Sequence, residues 1–326
     1  MDPAAAAEMV GVRKATASLP GRSIDITLWY PAAPGGTPVL IGESAVFRGV
    51  PGQRDAPVAQ GHFPLLVLSH GGIRSAPDLT AWIAWRLASQ GFVVGAARGP
   101  RADDAQAAVA EISLRPGDLS AALTAMMEDP GLAGRLDTRR VGVLGFQLGG
   151  TAALALAGAR LDADAYRRSC GEGGAGLDCE WLAEIGADLR SVDGALLSRS
   201  HLDPRVRAVV AVDPEGSTSF TSESLSEIAV PTEVISLGPA GETKPPLDAS
   251  GLQGAIPGSG YVVVPEATPY SAFGACKPQG VRILQEEGES DAICRDHDGQ
   301  TRESVQARLA ALITAAFRRS LTPAQR

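Results

Sequence analysis

Residues 141–150 read Val-Gly-Val-Leu-Gly-Phe-Gln-Leu-Gly-Gly. A short apolar strand runs from Val141 to Leu144. A tight turn follows at Gly145-Phe146-Gln147-Leu148-Gly149, and the small residues Gly150 to Ala157 predict a helix. Glycines at both ends of such a turn are the frame of the G-x-S-x-G elbow. That elbow lifts a serine hydroxyl above the end of a sheet to attack an acyl carbon. Here the central position holds Gln147. A primary carboxamide has donors and an acceptor but no proton to lose near neutral pH, and it does not attack carbonyl carbon. The frame for acyl transfer is present without the atom that performs it.

The remaining parts of that chemistry are two backbone N–H groups for the oxyanion, a carboxylate after a late strand and a histidine after the last one. One donor is expected at the Leu148 N–H and the other in the loop His70-Gly71-Gly72-Ile73. Gly71, Gly72, Gln147 and Leu148 are therefore the expected pocket residues. The turn after 232–237 reads Gly238-Pro239-Ala240-Gly241-Glu242, and Glu242 is the candidate residual acid. The loop after 261–265, Glu266 to Ser271, holds no histidine; the four are His62, His70, His201 and His297. His70 is expected to fix its loop rather than act as a base, and His297 to lie at the surface. Ser69, Ser75 and Ser271 are nearby hydroxyls without an elbow to activate them. Asp213 and Glu215 end a core strand at the edge where open α/β sheets bind ligands. They either line the cavity or cap the following turn.

A sheet must position these groups. Residues 9–17 and 22–30 alternate with period two and predict an antiparallel pair at the sheet edge. Residues 31–61, rich in Pro, Gly and Ala, predict an excursion across the surface. Phe63 to Ser69 is continuously apolar and predicts a strand covered on both faces. A helix is expected over about 78–90, stopped by Gly91, then a strand at 92–97. Arg115-Pro116-Gly117-Asp118 is expected to open the next helix. After the elbow, 158–204 is polar and Gly-rich and predicts a lid. Strands follow at 206–214, 232–238 and 261–265, with a closing helix over about 301–319. Strands separated by helices imply a mostly parallel sheet wound by right-handed crossovers. No internal repeat is visible.

The chain resembles the predicted dienelactone hydrolase group of α/β-hydrolases, related to platelet-activating-factor acetylhydrolase-like esterases. The resemblance runs nearly end to end. It rests on Trp29-Tyr30-Pro31-Ala32, Val46-Phe47-Arg48-Gly49, Leu68-Ser69-His70-Gly71, Gln90-Gly91-Phe92-Val93-Val94, Arg115 to Ser120, the elbow, Asp203-Pro204-Arg205 and Ile293-Cys294-Arg295-Asp296. It implies one α/β-hydrolase domain over 1–326 with helices on both faces of the sheet and a small helical lid insertion at 158–204. In that family the elbow reads G-H-S-x-G, where this chain has Phe146-Gln147. The family's acid matches Gly241 and its histidine matches Pro269. The triad-equivalent positions are thus Gln147, Gly241 and Pro269, with no intact catalytic set.

Composition sets the bounds. With 326 residues, 44% hydrophobic and 20% charged, the chain can bury a normal core. A net charge of −8 argues against nucleic acid and anionic membrane surfaces. No uninterrupted apolar run is long enough for a membrane span. The start, Met1 to Glu8, has no signal-peptide pattern and reads either as a residue of processing or as an Ala-rich floppy end. The four cysteines allow three connectivities. Local pairing, Cys170 with Cys179 and Cys276 with Cys294, closes the shortest loops. Paired loop cysteines favour a periplasmic or secreted protein, free thiols a cytoplasmic one. Cys294 and His297 fall far short of a zinc site, and no metal or cofactor is expected. The expected function is a catalytically inactive α/β-hydrolase homologue, a pseudoenzyme with a retained pocket for a small carbonyl or carboxylate ligand, or a protein partner. The alternative is an active esterase or lactone hydrolase-like enzyme using non-standard residues.

Overall fold

In the run Phe63–Ser69 every residue from Leu65 onward is buried, so this strand needs cover on both faces. The structure, a computed structural model, supplies it. It describes residues 9–72, 77–169, 182–241 and 247–322. The strands are β1 Val10–Leu19, β2 Arg22–Pro31, β3 Thr37–Ile41, β4 Val50–Arg54, β5 Phe63–Ser69, β6 Val93–Arg98, β7 Leu136–Phe146, β8 Ala208–Val212, β9 Thr232–Leu237 and β10 Gly260–Val264. They form one sheet in the order β10-β9-β8-β7-β5-β6-β2-β1-β4-β3. From β6 to β10 the neighbours are parallel, and β2 joins β6 antiparallel.

The longer helices are α1 Ala81–Ser89, α2 Ala105–Glu128, α3 Leu148–Leu156, α4 Ala163–Ser169, α5 Gly280–Glu286 and α6 Arg302–Leu321. Successive residues of a strand point to opposite faces. Leu65 and Val67 accordingly pack with α2 and α3, while Leu66 and Leu68 pack with α1 and α6. Among the described residues between α3 and β8 lie α4, helical residues 182–184 and the short helical turns Leu189–Ser191 and Gly194–Ser198. Among the described residues no helix is long and apolar enough to cross a membrane.

Two expectations are corrected. The stretch 31–61 is not simply an excursion, because it contributes β3 and β4. The β1–β2 pair therefore lies inside the sheet, and β3 is outermost. The prolines that obscured these strands sit where a missing N–H is tolerated. Pro38 is on the edge strand, and β4 meets β1 only through Gln53 and Arg54, leaving Pro51 outside that ladder. Second, Arg115-Pro116 does not open a helix. Helix α2 begins ten residues earlier, where the Asp104 side chain accepts the Ala107 N–H at 2.8 Å, and Pro116 lies inside it. Burial of Ala108, Val109 and Ile112, with the charge network below, outweighs the hydrogen bond lost at the proline.

Cys276 and Cys294 form a disulfide, as local pairing predicts. Cys170 and Cys179 lie outside the described residues.

Candidate functional site

The strand–helix junction is as tight as the two glycines require. A Cβ on Gly145 would fall 2.0 Å from the Gly149 carbonyl oxygen, and one on Gly149 would fall 2.4 Å from the His70 oxygen. Between them Gln147 has φ +48° and ψ −119°, a conformation non-glycine residues rarely hold. Neighbouring strands and helices pin its backbone. The Gln147 N–H donates to the Val212 carbonyl at 2.8 Å. The Gln147 carbonyl accepts from Thr151 N–H at 3.1 Å and Glu215 N–H at 3.2 Å. The turn thus has the shape that presents a nucleophile.

What it presents is a carboxamide with both ends engaged. Gln147 Oε1 accepts the Gly72 N–H at 3.2 Å, and Nε2 donates to the Pro269 carbonyl at 2.9 Å. The residue is 1% exposed. Leu148 opens α3, whose first N–H groups have no acceptor within the helix. The side chain therefore bridges the loop after β5 and the loop after β10.

Each bridged loop is braced from behind. Arg115, 3% exposed on α2, donates from Nη1 to the carbonyls of Gly71 at 2.6 Å and His70 at 3.2 Å. Its Nε and Nη2 reach Glu111 at 3.3 and 3.2 Å. Arg22 on β2 joins the group, contacting Asp118 Oδ1 at 2.8 Å and Oδ2 at 2.6 Å, and Glu111 at 2.6 Å. Behind the post-β10 loop the Ser271 hydroxyl donates to the Asp296 carboxylate, whose other oxygen accepts Arg302 Nε at 2.7 Å. Arg302 Nη1 holds the Tyr270 carbonyl at 2.8 Å, and Trp82 Nε1 holds that of Ala272 at 2.9 Å. The Asp296 and Arg302 side chains are 1% and 4% exposed.

His70, Asp213 and Arg98 bring charge or potential charge to the region of the junction. His70 is buried, and burial, then Arg115 and Arg98, hold its imidazole well below its ordinary pKa, so the ring is neutral. Asp213, just past β8, is fully buried at φ +45°. Burial pushes its pKa up to about 8 against the opposing pull of the Leu237 N–H and the Ser236 hydroxyl. Its Oδ1 accepts the Leu237 N–H at 2.8 Å, and Oδ2 makes no hydrogen bond among the described residues. Arg98 ends β6, one residue past the Ala97–Ser69 pairing. Its Nε is buried without a hydrogen bond, and it has no ion pair among the described residues.

The structure brings Gln147, Gly72 and Pro269 together, with Leu148 and the buried Gly71 alongside. Gly241 lies in an exposed turn, and a Cβ there would meet nothing within 4 Å among the described residues. Glu242 and Ser75 lie outside the described residues. Ser69 is buried, with no hydrogen bond from its hydroxyl among the described residues. Ser271 belongs to the Asp296–Arg302 brace, and His297 is exposed. Glu215 is buried beneath the elbow, its carbonyl accepting the Thr151 hydroxyl. Sequence reasoning left Asp213 undecided and missed Arg98, Arg115 and Arg302. The signal for Asp213 was an acid directly ending an all-apolar strand. For the arginines nothing in their spacing marked which would be buried.

No protein-family model and no curated protein matches the chain. Among solved structures it is similar to the ferulic acid esterase from Streptomyces cinnamoneus, with 19% identity and a TM-score of 0.64 over 98% of this chain and 92% of that one. It is also similar to the dienelactone hydrolase from Anabaena variabilis ATCC 29413, with 14% identity and a TM-score of 0.51 over 95% and 98% of the two chains. At such identities the likeness speaks for architecture, and with the sheet order, the flanking helices and the elbow it leads to one conclusion: the chain has the α/β-hydrolase fold.

Proposed function

We propose that this chain is a non-hydrolytic α/β-hydrolase-fold protein that binds a small carboxylate or carbonyl ligand at the C-terminal edge of its sheet, with residues 158–204 as the lid. One observation carries the reading. The side chain at the nucleophile position is a carboxamide held by two backbone groups, and the neutral, buried His70 is not among its hydrogen-bond partners. Arg98 supports the ligand class, since a part-buried guanidinium with no carboxylate partner among the described residues is suited to an anion supplied from outside. The Cys276–Cys294 disulfide supports an oxidising compartment, periplasmic or secreted.

The test is hydrolysis of p-nitrophenyl acetate and longer esters by purified protein, with binding of small aromatic and aliphatic carboxylates by calorimetry. The expected result is no turnover above background and carboxylate binding that Arg98→Gln abolishes. Turnover that a change at Gln147 or Asp213 removes would overturn the reading.

A second reading, an esterase or lactone hydrolase working through non-standard residues, draws on Asp213. A carboxyl with a pKa of about 8 can give or take a proton near neutrality. It requires that any measured turnover fall to background in Asp213→Asn.

A further inference from the structure

We propose that the elbow is a primary-carboxamide site whose ligand is the chain's own Gln147 side chain. An oxyanion site offers N–H donors only and suits a carboxylate or a tetrahedral anion. This one offers a donor and an acceptor at opposite ends of one buried group: the Gly72 N–H at 3.2 Å and the Pro269 carbonyl at 2.9 Å. A carboxylate in that space would satisfy Gly72 and press its second oxygen against the Pro269 oxygen, with a charge taken out of water. A ketone or ester would leave the Pro269 carbonyl unanswered, which costs the desolvation of a buried acceptor. A primary amide answers both, carrying C=O and N–H on one carbon.

The braces described above make this pair a built receptor rather than an accident of two loops. Arg115 fixes the Gly71 and His70 carbonyls, which orients the Gly72 N–H. Arg302 and Trp82 hold the carbonyls of Tyr270 and Ala272, one and three residues after the Pro269 that accepts from Gln147. Both groups therefore stay in place when the side chain between them is removed. The inference goes beyond the function proposed above and stands whether or not the protein turns over esters, because its test reads binding.

Gln147→Gly removes CH2CH2CONH2, which is the body of propionamide, and the positive φ at this position suits glycine. Thermal unfolding of this variant and of the wild type is followed against propionamide, propionate (with matched sodium chloride) and butanone, three molecules of one shape. Propionamide is expected to raise the midpoint of the variant by about 2 °C or more at saturation and to leave the wild type, whose site is filled, unmoved. Propionate and butanone are expected to have no effect. An equal response to propionate or butanone, no response to any of the three, or an equal response of the wild type overturns the proposal.

Should the glycine variant not fold, Gln147→Glu gives an independent reading. A protonated carboxyl can donate to Pro269, whereas an ionised one repels it. The midpoint deficit against wild type is expected to be small at acid pH and to widen by several degrees at alkaline pH. His70 and Asp213 titrate in both proteins and enter both curves. A deficit that does not change with pH overturns the proposal equally.

Discussion

At position 213 a carboxyl is held in full burial with its second oxygen unanswered among the described residues, and its pKa rises to about 8. An unfolded aspartate titrates near 3.8. Between those values the folded state keeps a proton that the unfolded chain has lost. The contribution of this group is therefore fully present below the unfolded pKa, declines as pH rises, and is gone above the folded one. The slope is about 1.4 kcal/mol per pH unit for one proton. Asp213→Asn removes it, so in urea unfolding the change in stability from pH 5 to pH 7.5 should be shifted towards gain in the variant relative to the wild type, with the opposing His70 contribution common to both. Parallel profiles would mean that the carboxyl is not protonated in the fold. His70 works in the opposite sense. Its folded pKa is lowered, so its contribution is full above the ordinary value of 6.5 and falls as pH drops below it. His70→Gln, which cannot charge, should make the fold less sensitive to acid between pH 6.5 and 4.5 in the same measurement.

At the scale of elements, α2 is both a layer of the fold and the clamp on the loop after β5. Replacing Arg115 by Met keeps the bulk and leaves Glu111 with one cation fewer in a buried setting. A loss of about 3 kcal/mol is expected from breaking such a pair, read as a lower denaturation midpoint. Faster hydrogen exchange at Gly72 would show that the clamp, and not only the core, was lost. The loop after β10 is held differently, by Arg302 and Asp296 and by a disulfide with a sequence separation of 18. Opening Cys276–Cys294 by reduction should cost about 3 kcal/mol on chain-entropy grounds, measured as a drop in the midpoint with reductant. An unchanged midpoint would show that the ionic brace alone suffices. These elements were unevenly legible. The elbow, β5 and β8 to β10 stand out because apolar runs bounded by glycine and polar turns leave few alternatives. The first half of α2 was hidden by Pro116, a local stop signal overridden by tertiary contacts. Arg115 and Arg302 look like any other surface arginine until the chain folds over them.

The whole molecule is a sheet with two coats of helices, and α6 closes one of them. Phe317 on α6 is fully buried, and its ring lies so close to β7 that a Cβ on Gly142 would meet it at 2.6 Å. Phe317→Ala should therefore destabilise by about 3–5 kcal/mol, visible in thermal or urea unfolding, because the α6–sheet layer has no slack to refill the space. The fold class was readable from the alternation of strand and helix signals. The width of the sheet was not, since β3 and β4 carry prolines that suit only its margin. The candidate site was half readable. Gln147 and the glycine loop are local patterns, whereas the meeting of Gly72 with Pro269 depends on residues nearly two hundred positions apart.

The shape of the β7–α3 junction is fixed by the lack of room beside Gly145 and Gly149, not by what stands between them. The residue at 147 can therefore be exchanged without redrawing the chain path. A scaffold built this way can lose, borrow or regain a reactive group in one codon, while the surrounding backbone goes on offering the same geometry to whatever side chain arrives.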